Sequence, residues 1–248
     1  MPYYIEKPIG KTPLDMVKLF QEKNPRQKYS FAGRLDPMAR GTMIILEGDE
    51  CKQQDIFCQH RKVYEFTILW GCQTDTHDVL GLLQKPAVLG NPSLLHNGWN
   101  ASLYLGKQKQ KYPVYSSMVV RKKPLWWWAK ENRLDEITIP SKEIEIFSLK
   151  EISPYQILSR KELYQQIVDK INTLDDSRKE GFRVPQILEK WAQELGNQDT
   201  MENGFYLQQM EALVSSGTYI RSLVHQMGQD LGCGALAFDI HRTQFLEV

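Results

Sequence analysis

Residues 31–41 read FAGRLDPMARG and set one carboxylate, Asp36, between Arg34 and Arg40, with Pro37 beside it. An opposite charge within about 4–6 Å keeps a carboxylate ionised even where water is scarce. The spacing therefore suits an acid presented to a cleft at the mouth of the apolar run TMIILE (42–47). It equally suits an ordinary turn, because Asp-Pro and Gly are common turn residues and Asp–Arg pairs are common on surfaces. Two further residues stand where chemistry can be done. Tyr64 lies near the start of VYEFTILW (63–70), and Arg221 lies in the first turns of GTYIRSLVHQMGQDLG (217–232). Taken singly, the first looks like half-buried strand packing and the second like a solvated helix cation.

The elements that must position these residues can be read from pattern. KTPLDMVKLFQEKN (11–24) predicts a helix with Thr12 as N-cap, Pro13 in the first turn, and Leu14, Val17 and Phe20 as its apolar face. Runs 42–47 and 63–70 predict strands from their β-branched and aromatic content, with a short helix between them at 49–57. Residues 84–112 read as irregular, and VYSSMVV (114–120) as a strand. PLWWWAKENR (124–133) turns into a short helix, on which three adjacent tryptophans cannot all face one way. EIEIFSLKEI (143–152) alternates as a half-buried strand does. Two amphipathic helices follow at 163–174 and 184–195, joined by the polar DDSRKEGFR. FYLQQMEALV (205–214) is strand-like, 217–232 is a helix stopped by Gly232, and ALAFDIHRTQFLEV (235–248) is a last strand. Strands and helices mix without a strict βαβ rhythm, which predicts a mixed-sheet α/β (or α+β) domain.

Bulk properties narrow the function classes. The 248 residues carry a net charge of +1, with 42% hydrophobic and 25% charged residues, as in ordinary globular domains. No apolar run approaches the roughly 20 residues needed to span a bilayer. The N-terminus lacks a signal pattern. Four cysteines without a CxxC pair argue against a zinc site and a disulfide framework, and for reduced thiols in the cytoplasm. There is no phosphate loop, no dinucleotide fingerprint and no metal spacing, so neither cofactor nor metal is expected. Local basic patches at Arg61-Lys62, 107–111 and 121–123 would favour nucleic acid only if the fold gathers them on one side.

Five segments in order carry a resemblance. GRLDPMARG…LEGDECK resembles the active-site motif of the TruB family of tRNA pseudouridine synthases. KPIGKTPLDMV is similar to that family's opening Lys-Pro-x-Gly segment, and YEFTILWGCQTDTHDVLG to its Tyr strand and Thr-Asp-Thr-x-Asp turn. YLGKQKQKYPVYSSMVV and GTYIRSLVHQMGQDLGCGA resemble its Pro-x-Tyr-Ser-Ala and Gly-Thr-Tyr-Ile-Arg passages. The set spans residues 7 to about 243.

The resemblance implies a pseudouridine synthase fold: a central mixed, mostly antiparallel sheet flanked by helices. It implies an isomerase acting on uridine within RNA, above all uridine 55 in the T-loop of tRNA. The base is cut from ribose at N1, turned over while bound and rejoined through C5, without cofactor. Asp36 inherits the catalytic role. Cleaving a glycosidic bond leaves positive character on the sugar, which a carboxylate on that face can stabilise or trap. Attack at C1′ and removal of a C2′ proton both remain open. Arg221 is the implied partner of Asp36, through a bidentate fork. Tyr64 offers its ring to the detached base and its hydroxyl to the C5 proton. Ile240, Lys7 and Phe31 fall on substrate-binding or supporting positions, and Arg34 and Arg40 are candidate phosphate contacts. The target base must leave the stack to reach such a pocket.

Three departures qualify the implication. Phe31 stands where the family usually has a His five residues before the catalytic Asp, so an aromatic wedge replaces a hydrogen-bonding one. The chain reads as one catalytic domain, 1–248, without the family's usual C-terminal PUA domain. Residues from about 153 to 203 read as a helical insertion, which either replaces RNA grip, binds a partner or packs on the flank. Alternatives are a synthase for another RNA, or an RNA-binding or RNA-folding module with weak or lost chemistry. A monomer is the default for one RNA loop per subunit.

Overall fold

A computed structural model describes residues 1–85, 99–195 and 204–247. Nine strands share one sheet: β1 (Tyr3–Lys7), β2 (Tyr29–Ala32), β3 (Ala39–Glu47), β4 (Arg61–Trp70), β5 (Gly106–Lys111), β6 (Ser141–Glu151), β7 (Gln156–Leu158), β8 (Phe205–Val214) and β9 (Ala235–Leu246). The order is β1-β3-β9-β4-β8-β6-β5, with β2 added on β3 and β7 on β8. Among the described residues β3 and β9 run parallel, while the other pairings are antiparallel. The mixed, mostly antiparallel α/β sheet is the one expected. The helices are α1 (Pro13–Lys23), α2 (Gln54–Gln59), α3 (Leu125–Lys130), α4 (Arg160–Asn172), α5 (Asp176–Lys179), α6 (Val184–Leu195) and α7 (Ile220–Asp230).

The period of 2 along β4 divides its side chains between two cores. Tyr64, Phe66, Ile68 and Trp70 face α7, meeting Leu223, Val224 and Met227. Leu69 faces the other way, with Leu207, Leu236 and Phe238, against the buried stripe of α4 and α6. That stripe is Leu163, Ile167 and Ile171 on α4, with Ile187 and Trp191 on α6. The segment set apart in the sequence as an insertion therefore closes one face of the sheet, and burying such side chains contributes roughly 1.5–3 kcal/mol each. Its end, together with Gly90 to Gly98, lies outside the described residues.

Four readings change. Residues 106–111 form edge strand β5, hidden in the sequence because Lys and Gln alternate with no apolar face. The run 114–120 is mostly loop: Val119–Val120 pair with Lys123–Pro124, while the carbonyls of Ser116 and Met118 accept from Trp126 and Leu125 at the start of α3. The helix at 49–57 is a 3-10 turn over Gly48–Gln53 followed by α2. On α1, Thr12 caps as expected, with Asp15 returning the bond, but Met16 and Val17 are buried and Leu14 is exposed.

Candidate active site

The turn before β3 holds Asp36 at the strand's mouth. Its carbonyl accepts from the Ala39 N–H at 3.0 Å, and the Pro37 carbonyl accepts from the Gly10 N–H at 2.8 Å. Gly41, where β3 meets β9, has φ +121°, and a Cβ there would fall 2.2 Å from the Arg242 carbonyl oxygen. The second glycine of the stretch thus permits the parallel strands to close beside the turn.

A cleft of about 940 Å³ opens at this point, lined by Asp36, Tyr64, Asp78, Arg221, Ile240 and Phe31, among others. Arg221, buried on α7, donates from Nε to Asp36 Oδ2 at 2.7 Å, and Asp78 Oδ2 lies 3.6 Å from the same nitrogen. The expected bidentate fork on Asp36 does not form: Nη1 donates to the Thr76 carbonyl and Nη2 to the Tyr115 carbonyl. Arg221 is instead shared among two loops and two acids. Burial works against its charge, yet Asp36 and Asp78 outweigh burial and hold its pKa above the ordinary value. Asp78 is pushed up to about 6 by burial, against the pull of Arg221 and the hydrogen bond from the Thr76 hydroxyl.

Tyr64 and Ile240 are buried on neighbouring strands β4 and β9. Phe31, half-buried on β2, carries the Arg34 guanidinium 5.6 Å above its ring, and Arg34 also donates to Ser117 Oγ at 3.1 Å. Lys7 is fully buried and absent from the cleft lining. It donates to the carbonyls of Pro8 and Lys11, supporting the loop whose Gly10 holds Pro37. Burial pushes its ammonium down to about 8, although Asp36 pulls the other way. Arg40 leaves the cleft to pair with Asp239 at 3.6 Å.

Sequence reasoning left Arg242 unassigned. This buried cation donates to the carbonyls of Thr42, Arg34 and Gly33 at 2.8, 3.1 and 3.0 Å, and lies 3.4 Å from the Tyr64 hydroxyl oxygen. It joins the Asp36 turn to the Tyr64 strand. The signal was its place two residues after Ile240 on one strand, hence on the same face. Asp78 is the last residue of the Thr-Asp-Thr-x-Asp turn, and nothing in that turn's sequence singles it out as a second partner of Arg221.

Fold and cleft together define the class: an α/β protein whose mixed sheet presents, on one face, a carboxylate held by a buried arginine beside an aromatic ring. A family model described as TruB family pseudouridylate synthase (N terminal domain) matches residues 19–163, and the chain belongs to that family. The tRNA pseudouridine synthase B of Geobacter sulfurreducens is 27% identical over 249 residues, covering 96% of this chain and 62% of that protein. The tRNA pseudouridine synthase B of Syntrophomonas wolfei is 26% identical over 243 residues, covering 97% of this chain and 64% of that protein. The chain thus spans about three fifths of the length of these curated relatives. Among solved structures, a chain of a Cbf5-Nop10-Gar1 complex has the same fold, with a TM-score of 0.54 at 14% identity over 98% of this chain and 48% of that chain.

Proposed function

We propose that this chain isomerises uridine to pseudouridine within RNA, with uridine 55 of tRNA as its target. The observation that carries this reading is the Arg221–Asp36 pair, 2.7 Å apart at the cleft beside Tyr64 and Ile240, with each residue at its expected motif position. Membership of the family and relatives called tRNA pseudouridine synthase B support it.

In this reading the extruded uridine enters with C1′ facing Asp36. The carboxylate stabilises the sugar as the N1 bond breaks, by attack at C1′ or by taking a C2′ proton. The detached base lies against the Tyr64 ring and Ile240, turns, and rejoins through C5, and the Tyr64 hydroxyl assists loss of the C5 proton. Phe31 occupies the gap that the flipped base leaves in the RNA stack. The four unpaired thiols suit a reducing compartment, and we take the cytoplasm as the place of action, with one chain per RNA site.

Incubation with unmodified tRNA, followed by base-specific mapping of pseudouridine, tests the reading. Product is expected at one T-loop uridine. Asp36→Asn should lower the rate by about 10³-fold or more, and Tyr64→Phe by at least about 10²-fold, with RNA affinity retained. Product elsewhere would move the target, whereas undiminished turnover by Asp36→Asn would remove the mechanism.

A further inference from the structure

Arg221 receives its direction from two carbonyls that belong to loops. Thr76 lies in the turn after β4, and Tyr115 in the segment after β5. Neither carbonyl is itself paired in a sheet ladder. The Thr76 turn is tied to β9 through the His77 carbonyl, which accepts from the Ala237 N–H at 3.0 Å, and what remains to be set is its position relative to the Tyr115 segment.

Besides Arg221 itself, a side chain of the helical hairpin touches both. Arg183, between α5 and α6, donates from Nη1 and Nη2 to Asp75 at 2.7 and 3.3 Å. Its guanidinium also lies 4.6 Å from the centre of the Tyr115 ring. Asp75 precedes Thr76, and its Oδ1 further accepts from the Leu82 N–H at 2.8 Å, closing that turn. The Tyr115 hydroxyl is pushed up to about 12 by burial and by Asp75, in keeping with a compact Tyr115–Asp75–Arg183 group. The turn that carries Arg183 is itself anchored: Lys130 donates to the Gly181 carbonyl at 2.6 Å, Lys11 pairs with Asp175 at 2.7 Å, and Arg178 grips Asp15 with both terminal nitrogens. Arg183 also holds φ +60°, a left-handed backbone that side chains other than glycine rarely adopt, so the chain accepts local strain to aim this residue.

We propose that Arg183 is a positioning residue for the Asp36 site. Its planar charge clamps the Asp75 carboxylate and the Tyr115 ring, fixing the Thr76 and Tyr115 carbonyls, hence Arg221, hence Asp36. The catalytic consequence rests on the reading of the site as a uridine isomerase, while the clamp does not. The helical hairpin, covering the opposite face of the sheet, thereby reaches round to govern the geometry of the site.

The test is Arg183→Gly, which removes the clamp and relieves the backbone strain together. Melting temperature should shift by no more than about 4 °C. Amide hydrogen exchange should quicken at residues 74–78 and 114–117, while the buried faces of α4 and α6 stay protected. With T-loop RNA, single-turnover rates at saturation should fall about 100-fold, as small misplacements do, and the Kd should stay within about threefold. Arg183→Lys, which keeps the charge but not the fork, should recover part of the rate. Unchanged exchange at both loops overturns the proposal. So does a weakened Kd with full turnover, which would make Arg183 an RNA contact. So does a larger fall in melting temperature with exchange raised throughout the hairpin. If the native chain modifies no RNA, the functional reading fails, and the exchange pattern alone decides the clamp.

Discussion

Arg221 is the fixed point of the site and Asp36 the reaching one. The Arg221 side chain is 3% exposed, whereas that of Asp36 keeps 35% of its surface open. One oxygen, Oδ2, is tethered, and Oδ1 has no partner among the described residues. A single tether aims the carboxylate and leaves an oxygen for a ligand, where a two-point fork would occupy both. Asp78 supplies the second counter-charge from a buried position, with its pKa pushed up to about 6. Between the ordinary aspartate value near 4 and about 6, the folded protein binds this proton more tightly than the unfolded chain does. Asp78 therefore subtracts stability as pH rises through that window. Above it, the ionised group helps hold Arg221, so turnover should climb through pH 6 and then level off. Asp78→Asn should lower the plateau by about 10-fold, as for an ion pair weakened by about 1.4 kcal/mol, and should abolish the acidic limb. A pH–rate profile that kept its limb near 6 in this variant would assign that limb to another group. Asp36, Tyr64 and Arg221 could be named as candidates because each lies within an ordered motif, and the fold brings all three to one cleft. Arg242 and Arg183 could not, because an arginine's worth depends on which carbonyls and rings surround it, and that is settled by chain segments far apart in sequence.

Local elements obey local rules where their ends are chemically marked. The Thr12–Asp15 capping box and the Pro at the start fix α1, and Ser159 with Glu162 does the same for α4. Strands β3, β4, β8 and β9 show themselves by apolar content because they lie inside the sheet. Strand β5 escapes, since an edge strand of alternating Lys and Gln has no buried face to announce it. Residues 114–118 mislead in the opposite direction: the apolar and aromatic content is strand-like, but Pro113 cannot donate to a ladder and the carbonyls serve α3 and Arg221. The hairpin was legible as two amphipathic helices, though not as half of the core. Its standing can be measured through Trp191, which is fully buried against the sheet side chains Leu207 and Leu236. Trp191→Ala should cost about 3–5 kcal/mol in urea unfolding. Near- and far-ultraviolet dichroism should report one coincident transition, as befits a single cooperative unit. An early, separate loss of helix would mark the hairpin as an appendage and would weaken any role for it at the site.

At the scale of the whole molecule, a net charge of +1 must be reconciled with the polyanionic substrate proposed for the cleft. The basic runs noted in the sequence do not solve the problem by gathering at the cleft. Lys107 and Lys109 face Glu145 and Glu143 across the β5–β6 ladder, Lys123 lies 5.0 Å over the Trp127 ring, and Lys62, which does line the cleft, is buried with its ammonium on the Cys58 carbonyl. Of the cations lining the cleft, Arg178 and Arg183 are engaged by Asp15 and Asp75. Lys18, Arg34 and Lys130 remain exposed there without a carboxylate partner among the described residues. Trp126, 41% exposed beside Lys130, adds an apolar face to the same wall. On the proposed function, such a site is built for a shape and an extruded base more than for a long phosphate track. Each neutralised phosphate contributes about −0.7 to −0.9 to the slope of log affinity against log salt, so three contacts predict a slope of about −2 to −3. Fluorescence anisotropy with a labelled T-loop hairpin over a salt series measures it. Lys18→Gln and Lys130→Gln should each flatten the slope by nearly one, and replacing Lys107, Lys109 and Lys111 by Gln should leave it unchanged. A slope near −6 that fell with the β5 lysines would instead make the sheet edge a second RNA track, and the cleft would then be a pocket set within a much larger interface.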